Sequence, residues 1–247
     1  MFTREFLQAV SDWQRGGDAR QTKKRGERLK ELAEGIDSRF RSCGLITYRQ
    51  VALDKGGVWK LIAERSLPEK ISAWTLAPSI AKTFKGGVPP EGWQGTIFEI
   101  MPEPEAVILN LHALYQSPDF CGALERESSA IDGFWDGAGR YRNTQAEVVL
   151  GIDNLDRASV YALGGYSSDR DTLIRMMFDQ EPTQELIAWF ETQQKKAGFE
   201  LGAFWLDGEP LQRVLARMEP HIARLKPIKA AQDEAKKAVA SGADENS

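Results

Sequence analysis

Three short runs in the 247-residue chain place polar side chains where a strand ordinarily wants apolar ones. In LITYRQV, residues 45–51, strand alternation puts Leu45, Thr47, Arg49 and Val51 on one face and Ile46, Tyr48 and Gln50 on the other. An arginine between apolar neighbours is costly to bury unless an anion pairs with it. Its planar fork of donors suits a pyrophosphate or a carboxylate. In QAEVVL, residues 145–150, Gln145, Glu147 and Val149 share a face. An amide and a carboxylate are then expected roughly 7 Å apart along one strand. SAWT, residues 72–75, brings the hydroxyls of Ser72 and Thr75 to a strand end just before a helix. Together the runs supply an anion grip, a carboxylate and hydroxyls to orient it. The same residues also admit a purely structural reading: Glu147 exposed on a strand, and Arg49 paired with a neighbouring Asp or Glu.

These runs need elements to hold them. Phe2, Phe6, Val10 and Trp13 recur at helical spacing, and Gly16-Gly17 ends that helix. Asp18 can cap a second helix whose apolar face is Leu29, Leu32, Ala33, Ile36 and Phe40. Between these faces lies a basic cluster of Arg15, Arg20, Lys23, Lys24, Arg25, Arg28 and Lys30, read as a solvated surface or as a contact for an anionic partner. From Gly44 the texture turns β-rich: LITYRQV, SAWT, GTIFEI, AVILNL, QAEVVL and ASVYAL are predicted strands. VWKLIAERS and APSIAKTF are predicted helices, the second with Pro78 just inside its start. Residues 132–144 form a polar, Gly-rich loop carrying Phe134, Trp135 and Tyr141. Helices return after about residue 169, with Leu186, Trp189 and Phe190 on one and Leu211, Leu215 and Met218 on another. The predicted organisation is a helical segment 1–43, a core 44–168, C-terminal helices 169–226 and a disordered tail 227–247, an α+β arrangement.

Composition narrows the function classes. Lys and Arg total 32 against 36 for Asp and Glu, a net charge of −4, which disfavours a globally basic nucleic-acid binder but not a local patch. No apolar run reaches the ~18–20 residues of a membrane span, and the N-terminus lacks a signal-peptide layout. A soluble, cytoplasmic protein without membrane contact is expected. Cys43, Cys121, His112 and His221 offer no ligand pairs at structural-zinc spacing, so neither a metal nor a disulfide framework is expected. His112, beside Leu111 and Leu114, reads as a packing residue. There is no P-loop, GxGxxG, HExxH or GxSxG pattern.

Tyr48-Arg49 on an early strand, a hydroxyl-bearing strand end running into an A-x-x-F helix, and a late Gln145-x-Glu147 strand resemble the Arg–Ser–Glu class of mono-ADP-ribosyltransferases. The resemblance spans roughly residues 44–165 and rests on the order and spacing of these elements more than on any one of them. It implies a mixed β core of two packed sheets with NAD, the substrate, in the cleft between them and no metal. Arg49 matches the arginine that grips the NAD phosphates, with Tyr48 beside it. Glu147 matches the catalytic glutamate, and Gln145 the residue that helps select the acceptor. Phe134, Trp135, Tyr141 and Arg142 fall in the segment that meets the target. The serine element departs from the family pattern, because Ala73 stands where the serine belongs. Either a bulge lets Ser72 serve, or Thr75 acts alone.

Cleavage between nicotinamide and ribose passes through an oxocarbenium-like transition state that a carboxylate can stabilise. The resemblance further implies a macromolecular acceptor, a toxin or effector role, action in a cytoplasm, and room for an inhibitory partner. The family's commonest targets put a protein acceptor ahead of RNA or DNA. In the family a Glu at the first position of the pair often goes with arginine acceptors, and Gln145 instead resembles enzymes that modify asparagine or nucleobases, whose amide or exocyclic amine a neutral amide can orient. The loop aromatics with Arg140 and Arg142 suit an unpaired base or a protein surface equally. The competing reading is a non-catalytic module that binds nucleic acid or protein through the basic helix and the aromatic loop.

Overall fold

A computed structural model describes residues 2–67, 69–198 and 200–244. Helix α1 (Arg4–Arg15) starts at Thr3, whose hydroxyl accepts the Phe6 N–H, and stops where Gly16 turns to φ 69°. Its buried face is Phe6, Leu7, Val10 and Trp13. Helix α2 (Ala19–Ala33) opens with a capping box in which Asp18 and Gln21 satisfy each other's backbone N–H groups. Gly26 lets α2 lie close to its neighbours: a Cβ there would come within 3.0 Å of both Trp13 and Ile71. Arg20, Lys23, Lys24 and Lys30 are exposed, and Arg28 pairs with Glu31 and Glu5, so most of the basic cluster is a solvated face.

The chain continues through β1 (Thr47–Asp54), α3 (Lys55–Ile62), β2 (Ile71–Thr75), α4 (Pro78–Thr83), β3 (Trp93–Ile100), β4 (Val107–Asn110), α5 (Leu111–Tyr115), α6 (Pro118–Glu127) and α7 (Ala138–Tyr141). It then forms β5 (Glu147–Gly151), β6 (Ser159–Tyr166), α8 (Arg170–Phe178), α9 (Gln184–Ala197), β7 (Ala203–Asp207) and α10 (Gly208–Asp244). The architecture is α+β, with a seven-stranded sheet in the order β4-β5-β2-β1-β3-β6-β7. Every neighbouring pair is antiparallel, so the sheet is not mixed as expected.

In place of two separate packed sheets there is one sheet with a narrow joint. β1 and β3 are in register along all of Thr47–Asp54, whereas β1 meets β2 at the single pair Tyr48↔Thr75. Beyond that pair the strands part, and the Ala73 carbonyl, left without a ladder donor, accepts from Arg49 Nη1 at 2.9 Å. A side chain thus fills the place of a backbone partner.

The sheet divides the interior into two main cores. Alternation along β5 sends Val149 into one core with Phe6, Val10, Leu29, Leu109 and Leu114. Val148 and Leu150 enter the other with Val51, Trp74, Phe98 and Leu155. β5 is therefore buried on both faces, which explains its continuous apolar run.

Two features differ from expectation. β7 was not apparent from the sequence. It lies along β6, where Trp205 packs onto Gly164 so closely that a Cβ would fall 2.5 Å from the indole. The segment after Pro227, expected to be disordered, continues α10 to Asp244. Its Ala, Lys and Glu residues are strong helix formers. Residues 245–247 of that segment lie outside the described residues. No helix among the described residues is long and apolar enough to cross a membrane.

Candidate active site

Arg49, Thr75 and Glu147 come from three different strands and line one cleft of about 480 Å3 beside the sheet joint, with Tyr48, Gln50 and Gln145. That volume falls in the range of small-molecule sites. Phe84 and Trp93, both exposed, line it as well.

Arg49 reaches the cleft because β1 and β2 have separated. Its side chain is 17% exposed, and Nη2 meets a Glu69 carboxylate oxygen at 2.9 Å. The structural reading of Arg49 is thus realised in part, with Glu69 as partner. Burial pulls the guanidinium pKa down while Glu69 and, more weakly, Glu147 pull it up. Its Nε remains buried without a hydrogen-bond partner, and so does Gln50 Oε1, although Gln50 Nε2 donates to the Gly87 carbonyl at 2.9 Å. Tyr48 lines the same cleft and stacks edge-on against Tyr161, and burial raises its pKa.

Glu147 is the first residue of β5 and only 5% exposed. One oxygen accepts the Trp13 indole N–H at 2.5 Å. Desolvation pushes the carboxyl pKa up to about 7, against the Trp13 hydrogen bond and the Arg49 charge, which favour the ionised form.

Gln145 is not on the strand. Ala146 adopts φ 42°, an uncommon conformation for a residue with a Cβ, and it breaks the alternation that would align Gln145 with Glu147. Both residues still line the cleft. The kink is held from β2: Thr75 Oγ1 donates to the Gln145 carbonyl at 2.7 Å, and the Leu76 N–H to the Ala146 carbonyl at 2.9 Å.

The two candidates for the serine role resolve differently. Ser72 is buried and accepts from Trp74 Nε1 at 3.0 Å on the opposite face of β2, so no bulge turns it toward Glu147. Thr75 faces Glu147 across the ladder, but its hydroxyl is engaged with the Gln145 carbonyl and the Ala77 N–H.

The segment before Gln145 is more ordered than a loop. Phe134 is 6% exposed and belongs to the core, which corrects its expected role in meeting a target. Its neighbour Trp135 is 73% exposed and packs edge-on against it. Tyr141 is half-buried with Arg140 over its ring, and Arg142 is exposed at φ 43°. Helix α1 fastens this segment. Gln8 exchanges two hydrogen bonds with the Asp132 backbone, Ser11 accepts from the Ala138 N–H, and Gln14 donates to the Arg142 carbonyl. His112, read as a packing residue, is half-buried and bridges Asn143 and Gln116.

Sequence reasoning missed Trp13, Gln50, Glu69 and Trp93, and treated Phe84 only as the end of a pattern. Trp13 did carry a signal, since a buried indole N–H needs an acceptor. Among the described residues no group of three or more His, Cys, Asp or Glu side chains is gathered as a metal site. No family model, curated protein or solved structure matches the chain.

Proposed function

We propose that the protein transfers ADP-ribose from NAD to a macromolecular acceptor and releases nicotinamide. One observation carries the reading. The cleft is lined by Glu147, whose side chain is buried, and by Arg49 and Gln50, each of which carries a buried polar atom without a partner, the donor Nε and the acceptor Oε1. Such atoms are rare in folded proteins, and a ligand that enters the cleft and shifts these side chains can satisfy both. NAD offers a pyrophosphate for Arg49 and hydroxyl and amide donors for Gln50. The position of the cleft, beside the joint between the two halves of the sheet, further supports an ADP-ribosyltransferase-type core.

In this reading Arg49 exchanges its contact with Glu69 for the pyrophosphate, and Phe84 and Trp93 offer faces to the flat rings, one of them the cationic nicotinamide. Tyr48 borders the same pocket. The bond between ribose C1′ and the nicotinamide nitrogen breaks, and its electron pair leaves with the nicotinamide, which becomes neutral. Positive charge develops on the ribose, and ionised Glu147 stabilises it. A nucleophilic atom of the acceptor then bonds to C1′ and gives up its proton to Glu147 or to solvent. Gln145 stands at the cleft to orient the acceptor, and Trp135, Tyr141 and Arg142 lie on the segment leading to it. A protein acceptor is put ahead of RNA or DNA, and an effector acting in a cytoplasm is the matching biological role.

Labelled NAD incubated with total lysate tests the proposal. Wild type should release nicotinamide and label an acceptor, and Glu147→Gln should do neither while remaining folded. Separate nuclease and protease treatment identifies the acceptor class. Silence of both proteins over varied lysates overturns the transferase reading in favour of a binding module using the basic α2 face and the exposed Trp135.

A further inference from the structure

We infer that Trp13, on the N-terminal helix, is the positioning residue that aims Glu147 and favours its carboxylate form. The inference deepens the proposed function and rests on it for the catalytic consequence, but the contact itself is a property of the fold.

Strand β2 offers Ala73 and Thr75 on the face shared with Glu147. Ala73 has no polar atom, and the Thr75 hydroxyl is engaged with backbone on both sides. Ser72 faces the other core. The charged and titratable groups facing Glu147 are Arg49 from β1 and Tyr115 from α5, and Tyr115 gives its hydroxyl hydrogen to Gln14. The Trp13 indole N–H donates to Glu147 Oε1 at 2.5 Å.

An indole N–H can only donate, so it favours the carboxylate over the acid. Trp13 is itself rigidly held. It is 7% exposed, packed in the core and set against Gly26 of α2. A hydrogen bond from a fixed ring restricts one oxygen of Glu147 and leaves the other for the ribose. The same helix anchors the backbone from Asp132 to Arg142 through Gln8, Ser11 and Gln14. One element therefore positions both the carboxylate and the segment that leads into it.

The test removes the N–H without removing the ring. Full-length protein with β-(3-benzothienyl)alanine at position 13 keeps the bicyclic shape and loses the donor, and Trp13→Phe serves as a second variant. The Glu147 carboxyl, 13C-labelled, is titrated by NMR, and nicotinamide release and NAD affinity are measured alongside. The Glu147 midpoint should rise by about one pH unit. The rate of nicotinamide release at neutral pH should fall about 10- to 100-fold with NAD affinity within about twofold of wild type. An unchanged midpoint in a variant of wild-type melting temperature overturns the assignment. A shifted midpoint in proteins that all fail to cleave NAD supports the contact and defeats the transferase reading instead.

Discussion

Thr75 and Glu147 face each other as ladder partners, yet the Thr75 hydroxyl serves the backbone of Gln145 rather than the carboxylate. The β2 side chain opposite Glu147 in the ladder thus fixes the peptide that turns into β5, while orientation of Glu147 falls to a different element. Thr75→Val should leave the Gln145 carbonyl and the Ala77 N–H without this partner and cost about 1–3 kcal/mol of stability in denaturant unfolding. Transfer to the acceptor should fall more than NAD hydrolysis, because Gln145 moves before Glu147 does. Thr75→Ser, which keeps the hydroxyl, should restore both.

Burial of Glu147 makes stability depend on pH in a definite direction. Its pKa is raised from 4.5 to about 7 in the fold, so the folded state holds an extra proton between those values. This contribution is fully present below pH 4.5 and is lost as pH rises to about 7, reaching a cost on the order of 3 kcal/mol above it. Glu147→Gln, which resembles the protonated acid, should match wild type near pH 4.5 and become more stable above pH 7. Melting temperatures across that range decide it, and parallel curves would show that Glu147 ionises freely.

The same titration governs activity. If ionised Glu147 stabilises the transition state, kcat/KM for nicotinamide release should rise about tenfold per pH unit below 7 and level off above it. A profile flat from pH 5 to 8 would remove Glu147 from that role.

Arg49 and Glu69 make opposite predictions for NAD. Arg49→Lys loses the planar fork and should weaken NAD binding by at least about tenfold in calorimetry. Glu69 stands where an anion is expected to bind, and its side chain is 44% exposed, so the pair is worth at most about 1 kcal/mol. Glu69→Gln should therefore tighten NAD binding by no more than about fivefold. Weaker binding in that variant would mean that Glu69 holds Arg49 in place rather than competing for it.

Helix α1 and the segment before β5 approach too closely for a side chain at Gly137. A Cβ there would lie 2.1 Å from the Ser11 carbonyl, a backbone atom that no rotamer change can move away. Gly137→Ala should cost about 1–3 kcal/mol and slow transfer, as read by unfolding and acceptor labelling. Gly44→Ala, with nothing within 4 Å of the added atom, is the control and should stay within about 0.5 kcal/mol.

Much of the local structure was legible in the chain itself. The spacing of Phe6, Val10 and Trp13, the Gly16-Gly17 break and the Asp18 cap specify α1 and α2, because helix periodicity and end chemistry are properties of neighbouring residues. Short runs of strand-forming residues bounded by turn signals likewise mark β1, β2 and β5, and the types of Arg49 and Glu147 announce a charged site. Three decisions belonged to the tertiary structure. Strand alternation could not foresee the positive φ at Ala146, which is imposed by hydrogen bonds from β2, some 70 residues away in sequence. Nor could it foresee that β1 and β2 join at one pair and then part, which frees Arg49 to face the cleft. The partner of Glu147 comes from Trp13, 134 residues earlier, and only packing of α1 against the sheet brings them together. Local pattern declares which groups need partners. Long-range packing decides which partners they find.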